Sequence, residues 1–445
     1  MIHINFDFVV LGWGPVGRYT YSRLADTFPE KSIAIIDGSE GLKELASCTI
    51  VRSNIEYQGN NIRHSLEKLP NSSIWGGAMM PWPREYLYDT INKKENLATD
   101  FNSILEYVCK LLDLTCDDSR CNINLGNHKY TLMNAEILKD KLLSKFIGDA
   151  NVKDYIVTAL QLGLNNKLRI QCRQLKGGEL VEIECDKVFL CLGTLENSRL
   201  LMTSQNILDE RLEKSVGNSL TDHLNLPVST FWIHPLNSYF KRFLVYNSKE
   251  NREYWPRLVN TSRLINCDFF LHFREVEKRL FHSRYISYLW RLARKLGVRK
   301  IEVLAFFEKQ AETDSKLSIE DGKLVIDFFI SESEIEQLIE VHGEIIDFLK
   351  SALRFKLSRF QPLCYDSTSI LRHISDTLHP AGTVSLSSNT KKKVLNSDLS
   401  LKSNSNVYVY GASSFPRSSA THPTLTALVL IECSIRSMMN SSTGQ

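Results

Sequence analysis

The chain has 445 residues, 43% of them hydrophobic and 24% charged, with a formal net charge of +3. That length exceeds what one hydrophobic core normally supports, so two domains are expected, and the near-neutral balance provides no field that would argue for nucleic-acid binding. Ten cysteines include no Cys-x-x-Cys spacing, the closest pair being Cys116 and Cys121, which excludes a zinc ribbon and favours a reducing, cytoplasmic setting.

Phe6 to Leu11 form an apolar run closed by a glycine, Tyr19 to Phe28 carry helical spacing, and Ser32 to Gly38 supply a second buried strand. Strand, turn, helix and strand in that order predict parallel strands covered by helices on both faces, a doubly wound α/β fold. Because the first strand begins so close to Met1, no signal peptide is expected, and no later run has the apolar length of a membrane span. Tyr155–Leu160, Leu168–Cys172 and Leu180–Glu184 alternate between Asn165-Asn166 and Gly177-Gly178, predicting a meander. Lys187–Gly193 reads as a further, returning buried strand, and Leu195–Ser204 as a short helix. From Leu226 to Leu371 the alternating runs Val228–Ile233, Ile301–Phe307 and Lys323–Ile330 predict an antiparallel sheet. Asn406–Gly411 is a last short strand and Pro423–Met438 a last helix, so the amino-terminal fold unit is discontinuous.

Gly12-Trp13-Gly14-Pro15-Val16-Gly17 joins the first strand to the first helix. In such a turn the first glycine bends the chain, the second lets backbone approach a pyrophosphate, and the third lets helix and strand pack closely. Pro15 suits the first helical position. Asp37, about twenty residues on at the end of the second strand, is placed to bind ribose hydroxyls. The motif predicts a dinucleotide and leaves flavin and nicotinamide open.

Near the carboxy terminus stand His379-Pro380-Ala381-Gly382-Thr383, then Gly411-Ala412-Ser413-Ser414-Phe415-Pro416, then Thr421-His422-Pro423-Thr424-Leu425-Thr426. With the opening glycine motif, this arrangement resembles the glucose-methanol-choline (GMC) family of FAD-dependent alcohol oxidoreductases. Ser72-Ser73-Ile74-Trp75-Gly76-Gly77 is similar to the family's segment near the flavin, especially in its pyranose-oxidase-like branch. Leu192–Leu201 and Val216–His223 resemble, in the family's order, the close of the nucleotide domain and the crossing into the substrate domain. The resemblance implies a discontinuous Rossmann-type FAD-binding domain (1–85, 135–225 and 372–445) and an α+β substrate domain and cap on an antiparallel sheet (86–134 and 226–371). It implies cofactor contacts from Gly12, Gly14, Pro15, Val16, Gly17, Asp37, Trp75, Gly76, Gly77, Val157, Gly193, Gly411, Ala412, Pro423 and Thr424, with His379 and His422 as the catalytic pair. Many relatives have asparagine where His422 stands, and relatives with covalently bound flavin have a histidine where Ile74 stands, so a dissociable FAD is expected.

Oxidising an alcohol removes a hydroxyl proton and a carbon-bound hydride, which calls for a base and an electrophilic acceptor. Histidine titrates near working pH and suits the base, His379 being the first choice, while the second imidazole can steady a developing alkoxide. The implied substrate is a sugar, cyclitol or sugar-bearing metabolite, and the electron acceptor O2 or another carrier. Alternatives in the same fold are a flavin-containing lyase and a non-catalytic FAD-binding partner subunit. His223 beside Asp222 reads as a tie for loop backbone. Trp75 and Trp82 read equally as site wall or core. The basic amphipathic stretch from Lys278 to Lys300 reads first as a solvated helix face, with an acidic partner, a membrane surface or a phosphorylated substrate as its functional readings. No metal site is expected.

Overall fold

The structure, a computed structural model, describes residues 2–38, 49–57, 78–79, 97–114, 121–125, 128–137, 152–204, 206–233, 254–260, 269–275, 299–309, 314–353, 358–386, 394–419 and 422–443. The fold is mixed α/β. Its first sheet is built on strand β1 (Ile2–Leu11), whose last four residues are fully packed between layers, as their unbroken apolar run requires. The strand begins earlier than the apolar run because Ile2–Asn5 lies near the surface, where burial does not select apolar side chains. A helix, Pro15–Thr27, leads from β1 to β2 (Ile33–Ile36), which pairs parallel to it.

Away from this sheet, β3 (Thr49–Ser53), β4 (Ala78–Met79), β5 (Cys121–Leu125) and β6 (His128–Ile137) belong to two others. β7 (Val152–Lys153) extends the first sheet beside β2, and β8 (Tyr155–Leu162), β9 (Leu168–Gln174) and β10 (Leu180–Leu190) form the expected meander. Leu180–Leu190 is one strand, where the sequence pattern suggested two. It runs parallel to β1 along its length, while its other edge changes partner: antiparallel β9 covers Leu180–Cys185 and parallel β19 (Val407–Val409) covers Val188–Leu190. The charged Glu184, Asp186 and Lys187 lie about that change of partner and break the apolar run without breaking the strand.

The second sheet is antiparallel and collects β11 (His223–Ile233), β12 (Tyr254–Asn260), β13 (Phe269–Glu275), β14 (Arg299–Glu308), β17 (Ser358–Pro362) and β18 (Ser375–Asp376) together with β4, β5 and β6. The expected strands at Val228–Ile233 and Ile301–Phe307 are paired here through β11 and β14. Lys323–Ile330 does something else. β15 (Lys316–Glu320) and β16 (Lys323–Phe328) form a hairpin about Asp321-Gly322, both at positive φ, and β16 then pairs parallel with β3 in a separate three-stranded sheet. Leu324 to Phe328 are buried because helix Glu332–Leu353 and the second core close over them.

Two apolar cores result. One joins the parallel sheet to the first helix, to Leu97–Leu111 and to the last helix, Pro423–Thr443; the other joins the antiparallel sheet to Glu332–Leu353. Met202 packs against both. Among the described residues no helix is long and apolar enough to cross a membrane, and no group of His, Cys, Asp and Glu could hold a metal. Cys109 is disulfide-bonded.

Candidate active site

The turn after β1 shows three different reasons for its glycines. Gly12 donates its N–H to the Ile36 carbonyl at 2.8 Å, and a Cβ there would lie 2.6 Å from the Cys191 carbonyl oxygen. A Cβ on Gly17 would lie 1.9 Å from the Gly12 carbonyl oxygen, so this residue sets how closely helix and turn approach. Gly14 meets nothing within 4 Å; its lack of a side chain serves no contact inside the protein. The helix that follows has extended Gly14 as its cap residue, no side-chain cap and Pro15 in its first turn. Open space in front of uncapped helix N–H groups fits a pyrophosphate. Asp37 accepts from the Trp13 N–H at 3.3 Å, and Gly38 lies so close to β8 that a Cβ would meet the Tyr155 carbonyl oxygen at 2.7 Å. Asp37, expected at the ribose, and Val157, expected as a cofactor contact, thus lie on adjoining segments; Val157 itself is buried in the first core.

Buried Asn197 ties together the ends of the parallel strands. It accepts from the Leu192 N–H and donates to the carbonyls of Leu190 and Tyr410 and to the Ser413 hydroxyl, at 2.9–3.3 Å. This holds Gly193, at the start of helix Thr194–Thr203, beside the Gly411-Ala412 turn, and Gly411 in turn faces Val16 across about 3.9 Å from where its Cβ would be. Thr194 donates to the Pro380 carbonyl at 2.6 Å and Ser198 to Thr383 at 2.8 Å. The His-Pro-Ala-Gly-Thr segment is therefore clamped to this helix on one side. On another it exchanges backbone hydrogen bonds between Ala381 and Thr221.

Three histidines converge there. The His379 ring centre is 5.8 Å from that of His422, in an edge-to-face arrangement, and 5.4 Å from that of His223. His422 is buried and immediately precedes Pro423, the first residue of the last helix. Asp222 lies beneath the group: its Oδ1 accepts the backbone N–H of His223 at 2.6 Å, that of His379 at 3.1 Å and the Thr377 hydroxyl at 3.1 Å. Thr377 Oγ1 is also 3.1 Å from His379 Nδ1. Burial, with Asp376 close by, pushes the Asp222 carboxyl well above the usual range. Burial lowers His379 to about 4, and burial together with His379 lowers His223 to about 3, so both imidazoles are neutral at ordinary pH. His223 Nε2 is 3.2 Å from the Ser418 carbonyl, the loop tie expected for it.

The family model of the GMC oxidoreductases matches residues 313–430, the stretch that holds both His379 and His422. That match takes in the carboxy-terminal motifs and about a quarter of the chain. Among curated proteins none matches the sequence. Solved structures with a similar fold include a formate oxidase (14% identity, TM-score 0.58, covering 99% of each chain), also solved as variants of the Aspergillus oryzae enzyme. A pyridoxine 4-oxidase from Mesorbium loti is similar over 97% of this chain and 98% of its own (15% identity, TM-score 0.56). A fungal aryl-alcohol oxidase is similar over 98% and 99% (12% identity, TM-score 0.55).

The structure brings Gly12, Gly14, Pro15, Val16, Gly17, Gly193, Gly411 and Ala412 to one region at the carboxy ends of β1, β10 and β19. His379, His422 and Pro423 adjoin it, and Thr424 follows in the first turn of the last helix. Trp75, Gly76, Gly77, Trp82 and most of the Lys278–Lys300 stretch lie outside the described residues. Several neighbours of these histidines were not singled out by sequence. Arg417 makes a two-pronged ion pair with buried Glu308 at the end of β14, and Glu308 also accepts the Ser419 N–H at 3.2 Å, which pins the segment leading to His422. Buried Lys309 approaches Glu334 at 3.5 Å, and burial lowers it to about 8. Their only sequence signal is adjacency: Arg417 lies just past Pro416, and Glu308-Lys309 ends an alternating strand.

Proposed function

We propose that this chain is a GMC oxidoreductase that oxidises an alcohol to a carbonyl compound, with His379 as the base, His422 as its partner at the substrate oxygen and a dissociable FAD. The observation that carries the reading is the pair of imidazoles with ring centres 5.8 Å apart, the first neutral down to a pH of about 4, at the start of the last helix. When bound, FAD supplies the acceptor for the hydride that leaves the alcohol carbon. Gly12, Gly14 and Gly17 with the first helix would hold its pyrophosphate, Asp37 its ribose, and Val157 the neighbourhood of its adenine; Gly193, Gly411, Ala412, Pro423 and Thr424 would face the rest of the cofactor. A neutral His379 takes the hydroxyl proton, and His422 orients the oxygen from which that proton departs.

For the substrate we propose a sugar, cyclitol or sugar-bearing metabolite. The name oxidase borne by the three neighbouring structures supports O2 as acceptor. On the same reading the FAD domain comprises 1–85, 135–225 and 372–445, the remainder forming substrate domain and cap.

The test is a visible spectrum of purified protein before and after acid precipitation, followed by anaerobic titration with sugars, glycosides and simple alcohols. Yellow protein that releases FAD and is bleached by one alcohol class is the expected result. Protein that stays colourless with added FAD, or yellow protein that no alcohol bleaches, would overturn the proposal.

A further inference from the structure

We propose that Thr377 and Asp222 are positioning residues that hold His379 as its Nδ1–H tautomer and so leave the Nε2 lone pair as the proton-accepting atom. Proton counting decides the tautomer. Asp222 Oδ1 receives the His223 backbone N–H at 2.6 Å and shares the His379 backbone N–H with Oδ2, 3.1 Å from each, and an amide N–H can only donate. Oδ1, which takes the short His223 N–H, is therefore the unprotonated oxygen, any proton of a neutral carboxyl group sitting on Oδ2, and the Thr377 hydroxyl at 3.1 Å donates to it. With its single proton used, Thr377 Oγ1 can only accept from His379 Nδ1, also at 3.1 Å. A neutral imidazole has one N–H, so Nε2 is left unprotonated.

His223 shows the opposite state. Its Nε2 faces the Ser418 carbonyl, which can only accept, so the proton sits on Nε2 and that atom cannot serve as a base. Two neutral histidines 5.4 Å apart thus differ in which nitrogen can take a proton, and a hydroxyl on Thr377 is what distinguishes His379. Thr377 lies outside the His-Pro-Ala-Gly-Thr motif, and it reaches His379 because the intervening Leu378 adopts φ +64.

The role in turnover rests on the reading of His379 as base, but the tautomer can be measured without turnover. The FAD-loaded protein, labelled with nitrogen-15 histidine, would be examined by long-range proton–nitrogen NMR, with the His379 signals assigned by their loss in His379→Gln. The expected wild-type result is a protonated Nδ1. Thr377→Val keeps the shape and removes both hydrogen bonds; the tautomer ratio should move toward Nε2–H by about tenfold, the worth of one net hydrogen bond, and flavin reduction should slow by a similar factor. FAD affinity should be unchanged, and Thr377→Ser should restore both readouts. A protonated Nε2 on wild-type His379 would overturn the proposal, as would a valine variant with unaltered tautomer and rate. If the valine variant does not fold, the wild-type spectrum and the serine variant still decide. Nδ1–H on His379 in a protein that no alcohol bleaches would sink the proposed function and leave the tautomer assignment standing.

Discussion

At the scale of single residues, the neutrality of His379 links structure to chemistry. Replacing it with alanine should slow flavin reduction by about 10²–10⁴-fold, the range of general-base help, while FAD stays bound; stopped-flow reduction beside a cofactor titration measures both. Burial also sets a sign for pH. His223 and His379 titrate at about 3 and about 4 when folded, against an ordinary 6.5. Below pH 6.5 the unfolded chain binds more protons at these two positions than the folded one, so their contribution to stability should fall as pH drops from 6.5 toward 4, opposed by Asp222, whose raised carboxyl binds its proton more tightly when folded. Each histidine contributes at most about 1.4 kcal/mol per pH unit in that window. Denaturant midpoints at pH 7, 6 and 5 compared between wild type and His379→Gln isolate this contribution: wild type should lose more stability than the variant as pH falls. In kcat/KM the acid limb should accordingly lie near pH 4, well below the range of a solvent-exposed histidine.

At the scale of elements, the glycine turn makes separable predictions. Gly17→Ala would force a Cβ to within 1.9 Å of the Gly12 carbonyl and should disrupt the packing of the first helix, lowering the melting temperature without any cofactor present. Gly14→Ala meets no protein atom, so the cofactor-free protein should melt as wild type does, while FAD affinity falls about tenfold or more as the new methyl group intrudes on the pyrophosphate. Equal melting of the two cofactor-free variants would contradict this division of labour. These roles were legible because a tight turn between strand and helix constrains residue type locally. The histidine pair was legible for the same reason, each lying in a dense motif. What lay beyond sequence is long-range or irregular. Nothing local announces that β16 pairs with β3, some 270 residues away by the Thr49–Leu324 partnership, or that β10 changes partner half-way along. The Thr377–His379 contact depends on a left-handed Leu378, which neither strand nor helix periodicity encodes.

At the scale of the whole molecule, the candidate active site lies on the polar seam between the two apolar cores. Thr194 to Pro380, Ser198 to Thr383, Ser418 to Asp222, Thr221 to Ala381 and Glu308 to Arg417 are all hydrogen-bonded pairs within that seam. The residues proposed to face the cofactor come from segments around 12–17, 193, 411–412 and 423, so a ligand held there would contact parts of the chain that only the folded state assembles. Such a ligand binds the folded state and not the unfolded chain, and its binding energy adds to stability by mass action. With free FAD at one hundred times its dissociation constant the gain is about 2.7 kcal/mol. For a chain of this size that corresponds to a rise of about 3–5 °C, scaled down from the shift per kcal/mol seen in smaller domains. Thermal scans at increasing FAD should therefore show a midpoint that climbs with the logarithm of concentration in wild type, and Gly14→Ala should need about tenfold more FAD for the same rise. A midpoint indifferent to FAD across that range would mean that the seam holds no dinucleotide, and would remove the acceptor on which the proposed oxidation depends.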